Sequence, residues 1–325
     1  MDFVRQLFWS TDQSRLRTPF RLAAMYGAVG VMVISMAMGI ERFDFGAAGT
    51  FVEGPLSNSV VAVALVIAVL TVGRFIDRRT PADWGIALSR RWIIELFLGL
   101  ALAGVAMALV WGWMVSQGWV SVRFEPQASY LGFGIAGAIA VQCGRYLAGS
   151  VMEELLMRGY LLRTLAELLG SRWLHPRTAI LISLIGTSAL FGVAHLGNPN
   201  ATLIGAANLT LLGLVFGIPF VLTGRLSWSI GLHMGWNIAQ NTVFGMANSG
   251  QATDASLIIT DLVPTSPESA GSLLWTGGAF GVEGGLTGTV GALLALAFTL
   301  VLIRRIDRSG LDLKVRAWET RSAAE

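Results

Sequence analysis

The chain has 325 residues, 54% of them hydrophobic and 13% charged, with a mean hydropathy of +0.64 and a formal net charge of +3. That balance excludes an ordinary soluble domain and describes a polytopic membrane protein, whose basic loops account for a pI near 9.5 without a nucleic-acid partner. The single cysteine, Cys143, excludes an intramolecular disulfide or a CxxC metal site and is assigned to packing.

A helix needs about 20 apolar residues to cross a bilayer, and runs near that length fall at 20–40, 57–76, 92–116, 132–162, 178–197, 202–223, 227–246 and 284–303. They predict an all-α fold, a polytopic integral membrane helical bundle with about eight transmembrane helices. Basic residues favour the cytoplasmic side. The connections at 74–91, 163–177 and 224–226 and the tail from Arg304 are basic, whereas 41–56 and 247–283 lean acidic. Both termini are therefore expected to be cytoplasmic. The segment 1–19, with Arg5, Arg15 and Arg17, lacks a removable signal-peptide pattern and is assigned to a retained cytoplasmic tail.

Residues 20–303 form one transmembrane domain, with the polar motifs confined to 145–245. Residues 304–325 form a basic cytoplasmic tail placed on the membrane surface, with Trp318 as an anchor. Such basic segments can lie against anionic headgroups. The connection 247–283, rich in Pro, Ser and Thr at its centre and in Gly at its end, is expected to be a mobile external loop. The glycines of 213-GLVFG-217 have the spacing that lets transmembrane helices approach closely.

Charges at lipid depth cost about 2.5–3.5 kcal/mol each on insertion scales and point to function. Three segments carry such groups. In 150-SVMEELLMRGYLL-162, Glu154 and Arg158 are four residues apart in the acid-before-base order that favours a helical ion pair. Glu153 lies about 100° away around the helix, without that partner, and Gly149 one turn earlier leaves room above it. Glu153 is thus a candidate general base or acid. The other segments are 191-FGVAH-195, with Phe191 and His195 on one helical face, and 233-HMGWN-237, which does the same for His233 and Asn237. His175 lies in a basic connection and is assigned a structural role.

A carboxylate, two imidazoles and a carboxamide on three separate runs are the groups needed to activate water and stabilise an oxyanion. The chain has no HExxH and no GxGD. A serine mechanism has one candidate, Ser188 with His233 as its base, and that mechanism would leave Glu153 idle.

The series EExxxR, FxxxH and HxxxN, here 153-EELLMR-158, 191-FGVAH-195 and 233-HMGWN-237, resembles the CPBP family of CAAX-type prenyl-protein proteases and bacteriocin-processing enzymes, also called Abi proteins. The resemblance implies that Glu153 activates water beside His195, and that His233 and Asn237 stabilise the developing oxyanion. It admits two mechanisms: water polarised directly by Glu153 and His195, or a divalent metal, most naturally zinc, held by Glu153, His195 and His233. The direct mechanism is favoured. The expected function is an intramembrane endopeptidase of a bacterial cytoplasmic membrane, with a membrane protein or peptide as substrate and the lipid bilayer as its other partner. The alternatives are a non-enzymatic scaffold or immunity protein of the same fold, and a proton-coupled transporter. Glu153 and His233 are expected in the inner half of the bilayer and His195 nearer the far side. They can meet only if the Glu153 helix is long and tilted, or if the connection 196–201 lies within the protein.

Overall fold

The structure, a computed structural model, describes residues 9–10, 15–40, 56–128, 134–170, 174–263 and 270–306. In chain order its helices are α1 (Thr18–Ile40), α2 (Ser57–Phe75), α3 (Arg90–Ser116), α4 (Gly134–Glu154), α5 (Arg163–Gly170), α6 (Pro176–Ala194), α7 (Leu203–Thr223), α8 (Ser227–Asn237), α9 (Ala270–Thr276) and α10 (Leu286–Ile306). Every apolar run carries a helix. Among the described residues, length and composition qualify six as membrane spans: α1, α2, α3, α6, α7 and α10. The two runs that fall short, 132–162 and 227–246, are those holding Glu153, Glu154, Arg158, His233 and Asn237. Polar side chains lower the apolarity of the first, and α8 has only 11 residues.

Outer faces of the spans carry exposed aliphatic and aromatic side chains such as Ile34, Phe97, Val105, Leu293 and Val301. Lipid is the solvent that suits such a surface. Among the six spans α7 is the most buried, with 61% of its span buried against 11% for α1. One core cluster joins residues of α3, α7, α8 and α10, among them Met107, Phe216, Trp236 and Ala292. A second joins α1, α2 and α7 with Trp84 and Tyr160.

The spacing of α3 and α8 depends on glycine. A Cβ on Gly231 would come within 2.2 Å of the Leu96 carbonyl oxygen, and one on Gly235 within 2.4 Å of that of Leu100. One end of this pair is fixed by Glu95, which accepts a forked pair of bonds from Arg225 at 2.7 and 2.6 Å and another from Ser227 at 2.7 Å. Such two-pronged guanidinium–carboxylate contacts fix orientation as well as distance. They set the start of α8 and hence the position of His233.

Three departures from the sequence expectation have physical causes. The first concerns the basic residues near the start of the chain, expected in a cytoplasmic tail, and those of the connections 74–91 and 163–177. Arg15, Arg21, Arg79 and Arg163 are buried. Arg21 pairs with Asp77, Arg15 and Arg79 with Glu167, and Arg163 donates to the Asp83 carbonyl. Burial and the neighbouring Arg21 lower the Arg15 guanidinium to about 10. These charges hold the segment before α1 against α5 and the end of α2.

The second concerns the fold class, since short antiparallel ladders occur in the connections. They pair β1 (Trp9–Ser10) with β2 (Arg15–Leu16), β3 (Val120–Arg123) with β6 (Ile259–Leu262), and β4 (Gln127–Ala128) with β5 (Ala255–Ser256). Alternating and β-branched residues such as those of 120-VSVR-123 suit paired strands.

The third concerns the connection 247–283, expected as a mobile loop, whose Gly-rich end is packed into the fold. It forms two short 3-10 turns, Gly278–Phe280 and Val282–Gly284, with Phe280, Val282 and Glu283 buried. The acidic segment 41–55 and the tail beyond Ile306, with Trp318, lie outside the described residues.

Candidate active site

The helix that begins as α4 runs unbroken into α5, in segments of 21, 8 and 8 residues. Its middle segment, Leu155–Leu162, is a π-helix that begins directly after Glu153 and Glu154. The helix carrying His233 and Asn237 makes the same change directly after Asn237, over Ile238–Val243. Turns of this wide kind are rare and gather at functional sites. Their occurrence immediately after both polar motifs re-aims the residues that follow.

The helix carrying Glu153 is long, as one of the two solutions allowed by the sequence requires. Glu153 is the last residue but one of α4, on a helix that continues to Gly170, and His195 is the C-cap residue of α6. The connection 196–201 is largely exposed on the bundle, so it is not the buried turn that sequence allowed as the other solution.

Glu153, His195, His233, Asn237, Phe191 and Gly149 all line one cavity of about 600 Å³. The helix α2 contributes Asn58 and Ala62 to its wall, which gives the N-terminal part of the chain a place at the site. A Cβ added to Gly149 would meet nothing within 4 Å, in agreement with open space above Glu153.

The two adjacent glutamates differ sharply. Glu154 is fully buried, and its Oε1 accepts from Arg158 at 2.8 Å and from His233 Nδ1 at 2.9 Å. Arg158 also donates to the Gly213 carbonyl at 2.9 Å, and its guanidinium lies over Phe191, 4.8 Å from the ring centre. The expected Glu154–Arg158 pair is therefore present, and it does something sequence did not indicate: it holds the His233 imidazole. Glu153 is 32% exposed, and its Oε2, 3.9 Å from His233 Nε2, has no hydrogen-bond partner in the protein.

Both imidazoles are oriented through Nδ1. Since Phe191 offers a carbonyl oxygen to His195 at 2.7 Å, that nitrogen carries the proton and Nε2 is left with a lone pair. His233 is clamped by Glu154 on one nitrogen and by Phe216 on its face, with ring centres 4.8 Å apart and planes within 12°. Phe191 fills the space beside both, 4.6 Å from the His195 ring and 5.9 Å from that of His233.

Asn237 Oδ1 accepts from Asn248 at 3.0 Å, and Asn248 in turn donates to Glu283 at 3.4 Å. Asn248, Ser249 and Glu283 line the same cavity. Burial pushes the Glu283 carboxyl above the usual range, while donors from Ser249, Gln240 and Trp236 pull it back.

Other sequence candidates sit elsewhere. Ser188 is buried against Gly213, outside the cavity lining, and the close approach expected of 213-GLVFG-217 is made there. His175 caps α6, its Nδ1 accepting from the Arg177 amide at 3.3 Å. Cys143 is a partly buried free thiol on α4. As for a metal held by Glu153, His195 and His233, no three His, Cys, Asp or Glu side chains among the described residues come close enough together to hold an ion. That donor set does not fit as it stands.

The fold and the site define a helical membrane protein with a carboxylate, two imidazoles and a carboxamide gathered around an internal cavity. Residues 135–239 match the model of a family described as type II CAAX prenyl endopeptidase Rce1-like, and all three motifs fall inside the match. The match covers about a third of the chain and supports the CPBP, or CAAX-protease, family, as the motifs do. No curated protein and no solved structure matches the chain.

Proposed function

We propose that the protein is an intramembrane endopeptidase that hydrolyses a peptide bond near the prenylated end of a membrane-anchored protein or peptide by glutamate-activated water. The observation that carries this reading is the contrast between neighbours: Glu154 is fully buried and held by Arg158 and His233, whereas Glu153 is 32% exposed and lines a polar cavity inside an apolar bundle.

Glu153 takes a proton from water while the His195 Nε2 lone pair accepts the water's second hydrogen bond. The oxygen attacks the scissile carbonyl, whose developing oxyanion accepts from the Asn237 amide and from His233 Nε2–H, in the form of His233 where both ring nitrogens donate. Collapse of the tetrahedral intermediate breaks the C–N bond, and the proton held by Glu153 passes to the leaving amine. No step is routed through a metal.

In the membrane the two polar helix runs join the six apolar spans as an eight-helix bundle with both ends cytoplasmic. The pairing of β3 with β6 supports this, because it joins two connections that the helix count places on the external side. The domain limits 20–303 and 304–325 follow from the same reading.

Replacing Glu153 by Gln keeps shape and removes the base. In proteoliposomes with a fluorogenic farnesyl-cysteine peptide ending in three further residues, the wild type is expected to cleave and Glu153→Gln to lose at least about 100-fold in rate, the scale of general-base catalysis. Wild-type-like cleavage by a folded Glu153→Gln protein would rule out this mechanism.

A further inference from the structure

The cavity holds a second carboxylate that the mechanism above does not use. Glu283 is 1% exposed and lies outside the segment that matches the family model. Its Oε1 accepts from the backbone and side chain of Ser249, and its Oε2 from Asn248 Nδ2 and Trp236 Nε1, each at 3.4 Å. Four donors converge on it.

The segment that supplies two of those residues is held in an unfavourable backbone form. Ser249 has φ of 48°, in the left-handed region a serine seldom adopts. Gly250 follows with φ of 78°, and a Cβ there would come within 1.9 Å of the Pro199 carbonyl oxygen. The Gly250 amide bonds the Phe280 carbonyl at 2.9 Å. The turn 248–251 is thus wedged between the connection after His195 and the turn that precedes Glu283. Strain of this kind persists only where the surroundings impose it.

Two carboxamides in series have an ambiguity that one carboxylate removes. An amide can present either its oxygen or its NH2 to a neighbour, so the pair Asn237–Asn248 can bond in either sense. Both oxygens of Glu283 already accept from groups that can only donate, the Ser249 amide and the Trp236 indole N–H. Glu283 therefore draws the NH2 of Asn248 towards itself, and the second hydrogen of that NH2 reaches Asn237 Oδ1 at 3.0 Å. With its oxygen engaged, Asn237 is left with its NH2 free to donate into the cavity.

We infer that Glu283 and Asn248 are positioning residues that fix the orientation of the Asn237 carboxamide so that it presents donors to the oxyanion. This assignment rests on the peptidase mechanism proposed above. It also gives the connection 247–283 a function: it completes the site from outside the three motifs.

The test is a double-mutant cycle on full-length protein in proteoliposomes with the same fluorogenic peptide. Glu283→Gln keeps the shape and replaces acceptor lone pairs with two donors. It is expected to lower kcat about 10- to 100-fold with KM within about twofold, and Asn237→Ala about 100- to 1,000-fold, the range for removal of one oxyanion donor. Because Glu283 acts through Asn237, the double variant should be no slower than Asn237→Ala alone, within about twofold.

Asn248→Ala, which leaves Glu283 its other donors, should show the same kcat loss and the same absence of further effect. Independent, multiplicative losses would overturn the assignment, as would wild-type kcat in Glu283→Gln. Failure of both Glu283→Gln and Asn248→Ala to fold would also overturn it, because the network would then serve the fold and not Asn237. Failure of the wild type to cleave is a separate result that removes the peptidase mechanism and this assignment with it.

Discussion

Glu153 and Glu154 show how little separates a structural carboxylate from a chemical one. One peptide unit turns the second glutamate into the core, where Arg158 and His233 both reach it, and leaves the first on the cavity wall. The buried charges offset each other, and Glu154 Oε1 is further bonded by His233 and Arg158 by the Gly213 carbonyl; removing one partner of such a pair leaves an uncompensated charge and costs about 3–5 kcal/mol. Arg158→Ala should therefore lower the unfolding temperature of the purified protein sharply, and Glu153→Gln should leave it within a degree or two. Glu154→Gln is intermediate: it keeps an oxygen for Arg158 or His233 but not the charge that holds both. Its expected signature is a kcat loss of about tenfold or more, since small misplacements of catalytic groups are costly. A normal rate in Glu154→Gln would mean that the His233 contact does not matter to turnover.

Helices explain both what sequence made legible and what it hid. Charges inside apolar runs are rare enough that Glu153, Arg158, His195, His233 and Asn237 stood out at once, and the i, i+4 spacing identified the Glu154–Arg158 pair. Spacing said nothing of the His233 contact, which depends on α8 lying against α4. Nor could it mark Phe216, one apolar residue among many, as the ring stacked on His233. Asn248, Ser249 and Glu283 were hidden for the opposite reason: polar residues in a polar connection attract no attention until the chain folds them against the cavity. The π turns after Glu154 and Asn237 have no sequence signal that we can name.

Two glycines separate packing from chemistry at this scale. Gly149→Leu projects into open space, so it should leave thermal unfolding unchanged and cut kcat/KM by filling the cavity. Gly235→Val would drive α8 away from α3, since a Cβ at that position already meets the Leu100 carbonyl. Both stability and activity should fall. If Gly149→Leu instead unfolds the protein, the space above Glu153 is not the substrate's.

At the scale of the whole molecule, the positive-inside reading and the folded chain make one joint claim about sidedness. The helix α3 has 27 residues, about 40 Å at 1.5 Å per residue, long enough to cross a hydrocarbon core of about 30 Å. Its two ends must then face opposite compartments. The connection before it is basic and the one after it carries β3, paired with β6 from the acidic connection 247–283. Ala87 and Gln117 are exposed, one near each end of α3. Single cysteines at these positions, in a background with Cys143 replaced by Ala, report the orientation through labelling with a membrane-impermeant maleimide. Gln117→Cys should label in intact cells, and Ala87→Cys only after lysis. The opposite pattern would invert the topology and place the peptidase on the wrong side for a cytoplasmic prenylated substrate. Labelling of both from one side would remove α3 as a span altogether. Because α3 packs directly on α8 through Gly231 and Gly235, that outcome would also take His233 and Asn237 out of the membrane.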